Sequence, residues 1–179
     1  MKVNYNTDIA NSFGNVTIKQ FKNGVVVNEI TKHNEITDAG ILSLLNSLVR
    51  NYNCYLRGIS VLVSEDTNPT ITPDEYKFYT FSEANIVSSG LTNPYAEIRF
   101  YLSTNGEDVD EINGKYIVGF KLLSRDNSGT EIDFATVDMN DTLPGTSTHV
   151  FNPIEKTSND SILVIWRIAI TSIFTTSFS

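Results

Sequence analysis

The chain has 179 residues, of which 40% are hydrophobic and 19% are charged, and this size and composition are typical of a single folded domain. Its formal net charge is −8, with 13 basic residues against 21 acidic ones and no basic run. Because proteins bind nucleic acid through clustered Lys and Arg, this balance argues against DNA or RNA as a partner. The single cysteine, Cys54, excludes an intramolecular disulfide and every multi-cysteine zinc site.

The two ends of the sequence are expected to lie outside the folded domain. We expect residues 1–14 to form an N-terminal arm, 15–171 a single domain, and 172–179 a C-terminal tail. The first residues lack the apolar core of a signal peptide. The most apolar stretch, 162–170, is far shorter than the roughly 20 residues of a membrane-spanning helix. We therefore expect synthesis in the cytoplasm and no membrane association.

The first predicted element is a β-hairpin. Two β-rich runs, 15–21 and 25–30, flank Asn23-Gly24. Both residues of an Asn-Gly pair tolerate positive φ, which the tight turns of two-residue hairpins require.

A helix is predicted to follow, near residues 38–50. Ile41, Leu44, Leu45 and Leu48 recur at i, i+3, i+4 and i+7, the spacing of one helical face. Thr37 or Asp38 can cap its first turn. The pattern predicts that Leu44 and Leu45 are both buried against the sheets.

Strands are predicted over the rest of the chain, at 54–63, 76–81, 95–103, 116–122, 131–137 and 161–171. Alternation places two sets of side chains inward: Ala96, Ile98, Phe100 and Leu102 in one strand, and Tyr116, Val118, Phe120 and Leu122 in the next long one. Polar loops are expected at 104–114 and 138–147. The segment 85–93 has no clear pattern. The last strand is apolar on both faces, as expected of a central strand or of an oligomer contact.

These elements predict a mainly β fold, a two-sheet antiparallel β-sandwich whose single helix covers an open end or edge. A jelly-roll connectivity is one option, and the pattern does not separate a sandwich from a barrel.

A search for chemistry finds no catalytic, cofactor-binding or metal-binding motif. The two histidines, His33 and His149, have no nucleophile motif near them. The acidic segment 107–111 does not match a calcium-binding loop of EF-hand type, so a solvated hairpin tip is favoured and a looser calcium site stays open. We therefore expect a protein that is not an enzyme and carries no cofactor.

Aromatic side chains are the main candidates for ligand contact. Four tyrosines lie on predicted strands. Tyr76 and Tyr79 belong to the short aromatic strand, and Tyr95 and Tyr101 are expected on the outer face of theirs. Exposed aromatic rings can stack on sugars or anchor a protein interface. Burial between the two sheets is the alternative for each of them.

Two segments resemble small structural proteins of tailed bacteriophages. The hairpin leads into His33-Asn-Glu-Ile-Thr-Asp-Ala-Gly40 and a Leu-rich helix, which is similar to a junction that opens the domain of such proteins. The segment Leu163-Val-Ile-Trp-Arg-Ile-Ala-Ile170 resembles their closing strand. The resemblance covers about a quarter of the chain and carries no catalytic motif.

The resemblance implies a virion protein that assembles with copies of itself and with other virion proteins, in the tail or neck rather than on the head surface. Closed rings and trimers are the usual arrangements of such subunits. The residues expected at an interface are Phe174, Phe178 and Arg167. A carbohydrate-binding or receptor-binding β-sandwich module is the alternative function.

Overall fold

The structure is a computed structural model that describes residues 14–49, 55–67, 72–87, 95–126, 128–142 and 149–169. Over those ranges the strands are β1 (Gly14–Lys22), β2 (Val25–His33), β3 (Glu35–Ile36), β4 (Tyr55–Ser64), β5 (Asp74–Phe78), β6 (Glu83–Val87), β7 (Tyr95–Leu102), β8 (Lys115–Arg125), β9 (Glu131–Asp138), β10 (Asn140–Thr142), β11 (His149–Phe151), β12 (Ile154–Lys156) and β13 (Asp160–Ala169). The helices are α1 (Asp38–Val49) and α2 (Glu107–Asp110).

Two antiparallel sheets form the domain. Sheet A has the strand order β2-β1-β13-β7-β6, and sheet B has the order β3-β9-β8-β4-β5 with β12 beside β8. Their inner faces share one hydrophobic core, which contains Trp166 and Phe100 from sheet A and Phe120 from sheet B. Strands β10 and β11 form a separate two-stranded ribbon. The predicted two-sheet antiparallel β-sandwich with one long helix is confirmed.

The first hairpin is as predicted. Asn23 and Gly24 both have positive φ, 52° and 76°, and they join β1 to β2. The turn therefore has the left-handed backbone that the Asn-Gly pair indicates.

Strand β13 is the central strand of sheet A, which explains its two apolar faces. Val164 and Trp166 are fully buried in the core. On the opposite face Ile165 is only 8% exposed, because it lies between Thr17 of β1 and Arg99 of β7. A central strand has a neighbour on each side, so its outer residues are covered as well.

Alternation failed to predict the inward side chains of β8. Phe120 and Leu122 are buried in the core, as expected. Tyr116 and Val118 are only half-buried, and Ile117 is fully buried instead. Strand β8 contains a β-bulge at Val118 in its pairing with β4, and the extra residue inverts the alternation towards the strand's beginning.

Helix α1 packs at the β9 side of sheet B, and only a narrow stripe of it reaches the core. Ile41 and Leu44 pack against buried residues. Leu45 is 48% exposed and Leu42 is 59% exposed, so the prediction that Leu45 is buried is wrong. A helix at a sheet edge has a neighbour on one side only, which leaves part of its apolar face uncovered.

The remaining segments differ modestly from the predictions. The short aromatic strand begins earlier, at Asp74, and the unclear segment contributes β6. The predicted polar loop at 138–147 contains β10, and residues 143–148 lie outside the described part of the chain. So do the predicted C-terminal tail and the N-terminal arm, except that Gly14 begins β1.

Candidate functional site

Tyr76 has an intramolecular role. It lies half-buried on β5, and the Lys115 ammonium donates a hydrogen bond to its hydroxyl at 2.9 Å. The same ammonium lies 5.0 Å from the centre of its ring. This hydrogen bond is the main cause of a raised pKa for Lys115. Tyr76 therefore helps to hold the edge of sheet B together.

Tyr95 and Tyr101 lie on the outer face of β7, but their surroundings differ. Tyr95 is half-buried, and the Arg167 guanidinium lies 5.8 Å from its ring centre. Tyr101 is 55% exposed, near the other end of the strand. The two rings are six residues apart along a strand, about 20 Å, so they cannot share one small ligand.

Tyr79 follows β5 and is fixed by two charged side chains. The Arg57 guanidinium lies 4.7 Å from its ring centre. Its hydroxyl donates a hydrogen bond to Glu131 Oε2 at 3.2 Å. Glu131 also pairs with Lys77, whose hydrogen bond is the main cause of a lowered pKa at Glu131. Tyr79 nevertheless remains 46% exposed.

A groove of about 340 Å³ lies near the ends of β5 and β7 and is lined by Phe78, Tyr79, Thr80, Phe100, Tyr101, Leu102, Gly106 and Val109. The side chains of Tyr79 and Tyr101 nevertheless lie on opposite outer faces of the sandwich, Tyr79 beside Glu131 on sheet B and Tyr101 on sheet A. The structure therefore does not bring the four tyrosines chosen from the sequence together in one site.

Arg167 belongs to an ion network on the outer face of sheet A. Its Nε donates to Glu97 Oε2 at 2.7 Å, and Arg99 Nη2 lies 2.7 Å from Glu97 Oε1. Arg99 also pairs with Glu83 at 3.0 Å. The hydrogen bond from Arg167 is the largest cause of a lowered pKa at Glu97. An interface role for Arg167 stays a prediction, and the other two predicted interface residues, Phe174 and Phe178, lie outside the described residues.

Strand β2 forms one edge of sheet A and exposes a run of valines. Val25, Val26 and Val27 are 64%, 44% and 54% exposed. Ile86 of β6, at the opposite edge of the same sheet, is 80% exposed. These residues were not predicted from the sequence, although three consecutive valines beside a tight turn were a usable signal, since one face of a strand cannot bury all three.

The segment 33–40 docks the helix onto sheet B. Thr37 Oγ1 accepts a hydrogen bond from the Gly40 amide at 3.0 Å and so caps α1. The Thr37 amide donates to the Phe134 carbonyl at 3.1 Å. A Cβ at Gly40 would lie 2.2 Å from that carbonyl oxygen, so the close approach needs glycine. The motif therefore has a structural explanation in this chain.

The acidic segment 107–111 starts with the short helix α2 rather than an open loop. Beneath it lies Lys156, which is fully buried. Its ammonium donates to Asn113 Oδ1 at 2.8 Å and to the Thr157 carbonyl at 3.0 Å. Burial is the first cause of a lowered Lys156 pKa. In the part of the chain that the structure describes, no three His, Cys, Asp or Glu side chains are grouped as a metal site would require.

No helix within the described ranges is long and apolar enough to cross a bilayer. None of the family models, curated proteins or solved structures that were compared with this chain matches it.

Proposed function

We propose that this protein is a non-enzymatic structural subunit of a tailed-phage particle, in its tail or neck, and that it self-associates through the edges of sheet A. The observation that carries the proposal is the exposed apolar end of β2. Other virion proteins are its expected further partners.

Strand β2 has the properties of an edge that is covered in an assembly. It pairs with β1 on one side, and no described strand pairs with it on the other. Natural sheets protect long edges with charges, prolines or bulges, because an open apolar edge recruits other chains. The one bulge of β2 lies at Val27, opposite Gln20 and Phe21, and Val25, Val26 and Val27 remain exposed and apolar around it.

The opposite edge of sheet A supports assembly into a ring. Strand β6 has one partner, β7, among the described strands and exposes Ile86 almost fully. If β2 of one copy packs beside β6 of the next, the contact is head-to-tail, and such contacts close into rings or continue as filaments. Rings and tubes of this kind are what a tail or neck requires.

The phage origin rests on the sequence resemblance, and the structure gives the resembling segments structural roles. Residues 33–40 dock α1, and residues 163–169 belong to the central strand of sheet A. Segments that hold a scaffold together are the ones expected to persist in a family of structural subunits.

We extend the proposal to the tail at 172–179. Phe174 and Phe178 stand among polar residues, and burying each across an interface would contribute about 2 kcal/mol. Deleting 172–179 should leave a folded domain and weaken the oligomer. A deletion variant with the native mass of the full chain would contradict this extension.

Sedimentation velocity of two matched variants tests the edge proposal. Wild type should sediment as a defined oligomer, and Val26→Lys should shift it to the 19.9 kDa monomer, because a charge at the edge blocks strand pairing. Leu42→Lys is the control, a lysine at an exposed apolar position on α1, where Leu42 is 59% exposed against 44% for Val26. The proposal fails if wild type is monomeric, or if both variants weaken association equally. Circular dichroism confirms that each variant is folded.

The alternative function, carbohydrate or receptor binding, is favoured by one observation, the exposed ring of Tyr101 on the outer face of sheet A. It is compatible with a particle subunit, because a virion protein can both assemble and contact a cell surface.

A further inference from the structure

We propose that Lys156 and Asn113 react with each other to form an intramolecular isopeptide bond, with Asp110 carrying a proton between them. The inference does not rest on the assembly proposal, because the reaction takes place within one chain and would occur equally in a monomer.

The three side chains contact one another in a line. Lys156 ends β12, Asn113 lies in the turn before β8, and Asp110 ends α2. The Lys156 ammonium donates to Asn113 Oδ1 at 2.8 Å, and Asn113 Nδ2 donates to Asp110 Oδ1 at 3.1 Å. A C=O bond is about 1.2 Å long, so Asn113 Cγ lies within about 4 Å of Lys156 Nζ. Reacting atoms are positioned for attack at about 3–3.5 Å, so only a small approach is needed.

Lys156 has the surroundings of a nucleophilic amine. Its side chain is fully buried. Burial lowers the pKa of its ammonium, although the charges of Asp160 and Asp110 oppose the shift. A lysine that loses its proton more readily is a better nucleophile at neutral pH. A second hydrogen bond, to the Thr157 carbonyl at 3.0 Å, fixes the position of the nitrogen beside Asn113.

The side-chain amide of Asn113 has a competing nucleophile in the next residue. In an Asn-Gly pair, the glycine amide nitrogen can attack the asparagine Cγ, and ammonia leaves as a succinimide forms. Here the Gly114 amide donates to the Lys156 carbonyl at 2.7 Å, which holds it against β12. The Lys156 amine is therefore the nucleophile that contacts the Asn113 amide.

The reaction balances without any co-reactant. The neutral Lys156 amine attacks Asn113 Cγ, and the new Nζ–Cγ bond converts the carbonyl into an oxyanion at Oδ1. Nζ then gives up a proton, Nδ2 gains one through the Asp110 carboxyl, and the Cγ–Nδ2 bond breaks as the carbonyl forms again. One amine and one primary amide become one secondary amide and one ammonia molecule, and nothing is oxidised or reduced. Asp110 is exposed and Asn113 is half-buried, so the ammonia has a path to solvent.

The bond would clamp together two segments whose reacting residues are 43 positions apart. It would tie β12 to the turn before β8, and a cross-link stabilises a fold mainly by restricting the unfolded chain. It would also convert the Lys156 ammonium into a neutral amide. Effects of pH that depend on this ammonium therefore belong to chains that have not reacted.

Intact-mass measurement of the purified wild-type chain tests the proposal. Reacted wild type should be lighter than its sequence mass by one ammonia molecule. Trypsin cleaves after free lysine and arginine but not after an acylated lysine. It should therefore release residues 100–115 joined to residues 126–167, a branched peptide whose fragmentation locates the bond at Asn113 and Lys156.

Four variants separate the roles of the three residues. Lys156→Met and Asn113→Ala each remove one reacting group and should keep the full sequence mass. Asp110→Asn should slow bond formation at least about a hundredfold in a time course of intact mass, as expected when a general acid–base group is lost. Glu111→Gln is the matched control, because Glu111 is an exposed carboxylate next to Asp110 whereas Asn113 bonds Asp110, and it should react as wild type. Circular dichroism checks that each variant is folded, and Asn113→Ala provides the unreactive chain if Lys156→Met does not fold.

Three results would overturn the proposal. The first is a wild-type chain that keeps its full sequence mass after prolonged incubation. The second is a loss of ammonia that persists in Lys156→Met without a branched peptide, which would assign it to succinimide formation at an Asn-Gly pair. The third is an Asp110→Asn variant that reacts as fast as wild type, which would remove Asp110 from the reaction.

Discussion

Arg167 and Glu97 are joined across neighbouring strands on the outer face of sheet A, with Arg167 Nε 2.7 Å from Glu97 Oε2. Glu97 is only 7% exposed although it lies on the outer face, and Arg99 contacts its other carboxylate oxygen. A carboxylate between two guanidinium groups can stay ionised despite burial. This pair explains how sheet A keeps charged residues beside the apolar Ile165.

The Glu97 carboxylate should stabilise the fold at neutral pH and lose that effect in acid. Hydrogen bonding from Arg167 lowers the pKa of Glu97 below its ordinary value of 4.5. A lowered carboxyl pKa means that the unfolded chain binds the proton first, so stability falls as pH drops from about 4.5 through the folded pKa. Glu97→Gln should cost about 1–3 kcal/mol at pH 7, and the difference from wild type should shrink below pH 4.5, measured by urea unfolding.

Glu83→Gln is the control for this prediction, because Glu83 contacts the same Arg99 but is 46% exposed. Exposed pairs contribute at most about 1 kcal/mol. A gap between wild type and Glu97→Gln that stays constant from pH 7 to pH 3 would contradict the account.

Lys156 should make the protein more stable as pH rises. Burial lowers the pKa of its ammonium below 10.5, so between that lowered pKa and 10.5 the unfolded chain holds more protons than the folded one. Stability therefore rises with pH in this window, by at most about 1.4 kcal/mol per pH unit. When urea unfolding is measured from pH 7 to pH 10.5, the free energy of unfolding of wild type with a free Lys156 amine should include this rise with pH, and that of Lys156→Met should not. Lys19→Met, at a partly exposed lysine, should follow wild type, and parallel curves for wild type and Lys156→Met would refute the prediction.

Gly40→Ala should push α1 away from β9. The added Cβ would lie 2.2 Å from the Phe134 carbonyl oxygen, which no rotamer change can relieve. We expect a loss of about 1–3 kcal/mol, as for other overpacked sites, although alanine is the better helix former. The melting temperature is the measurement, and an equal or higher value for Gly40→Ala would show that the junction tolerates a side chain.

The two neighbouring leucines of α1 should respond differently to truncation. Leu44 packs against the core, so Leu44→Ala should cost about 2 kcal/mol. Leu45 is 48% exposed, so Leu45→Ala should cost less than about 1 kcal/mol. Chemical unfolding of both variants tests this, and an equal loss would mean that α1 is buried on a wider face.

The sequence predicted features that depend on local chemistry or on a whole-strand pattern. The Asn23-Gly24 turn needs positive φ, and the alternation of β7 places Ile98 and Phe100 inward, so both were predictable. The bulge at Val118 was not, because a single inserted residue leaves the hydrophobic pattern almost unchanged and is decided by pairing with β4. Leu45 failed for a similar reason, since helical periodicity does not show how far a neighbouring sheet extends.

The candidate site was predictable only in part. Exposed tyrosines could be chosen from the alternation, which placed Tyr101 on an outer face. The contacts of Tyr79 with Arg57 and Glu131 could not be predicted, because they depend on how the strands of sheet B pair. Likewise, Arg167 was chosen from the sequence as an interface residue, whereas its partner Glu97 became visible only with the register of β7 against β13.

Hydrogen exchange along β2 tests the central claim, assembly through the edge of sheet A, most directly. Backbone amides of an edge strand that point away from β1 exchange readily in a monomer and become protected when another strand pairs with them. Exchange should be measured by mass spectrometry at a dilute and a concentrated protein solution, with α1 as the internal reference. The account predicts that protection of Val25–His33 rises with oligomer formation while α1 is unchanged. Oligomers that form with no change in exchange over β2 and β6 would contradict it.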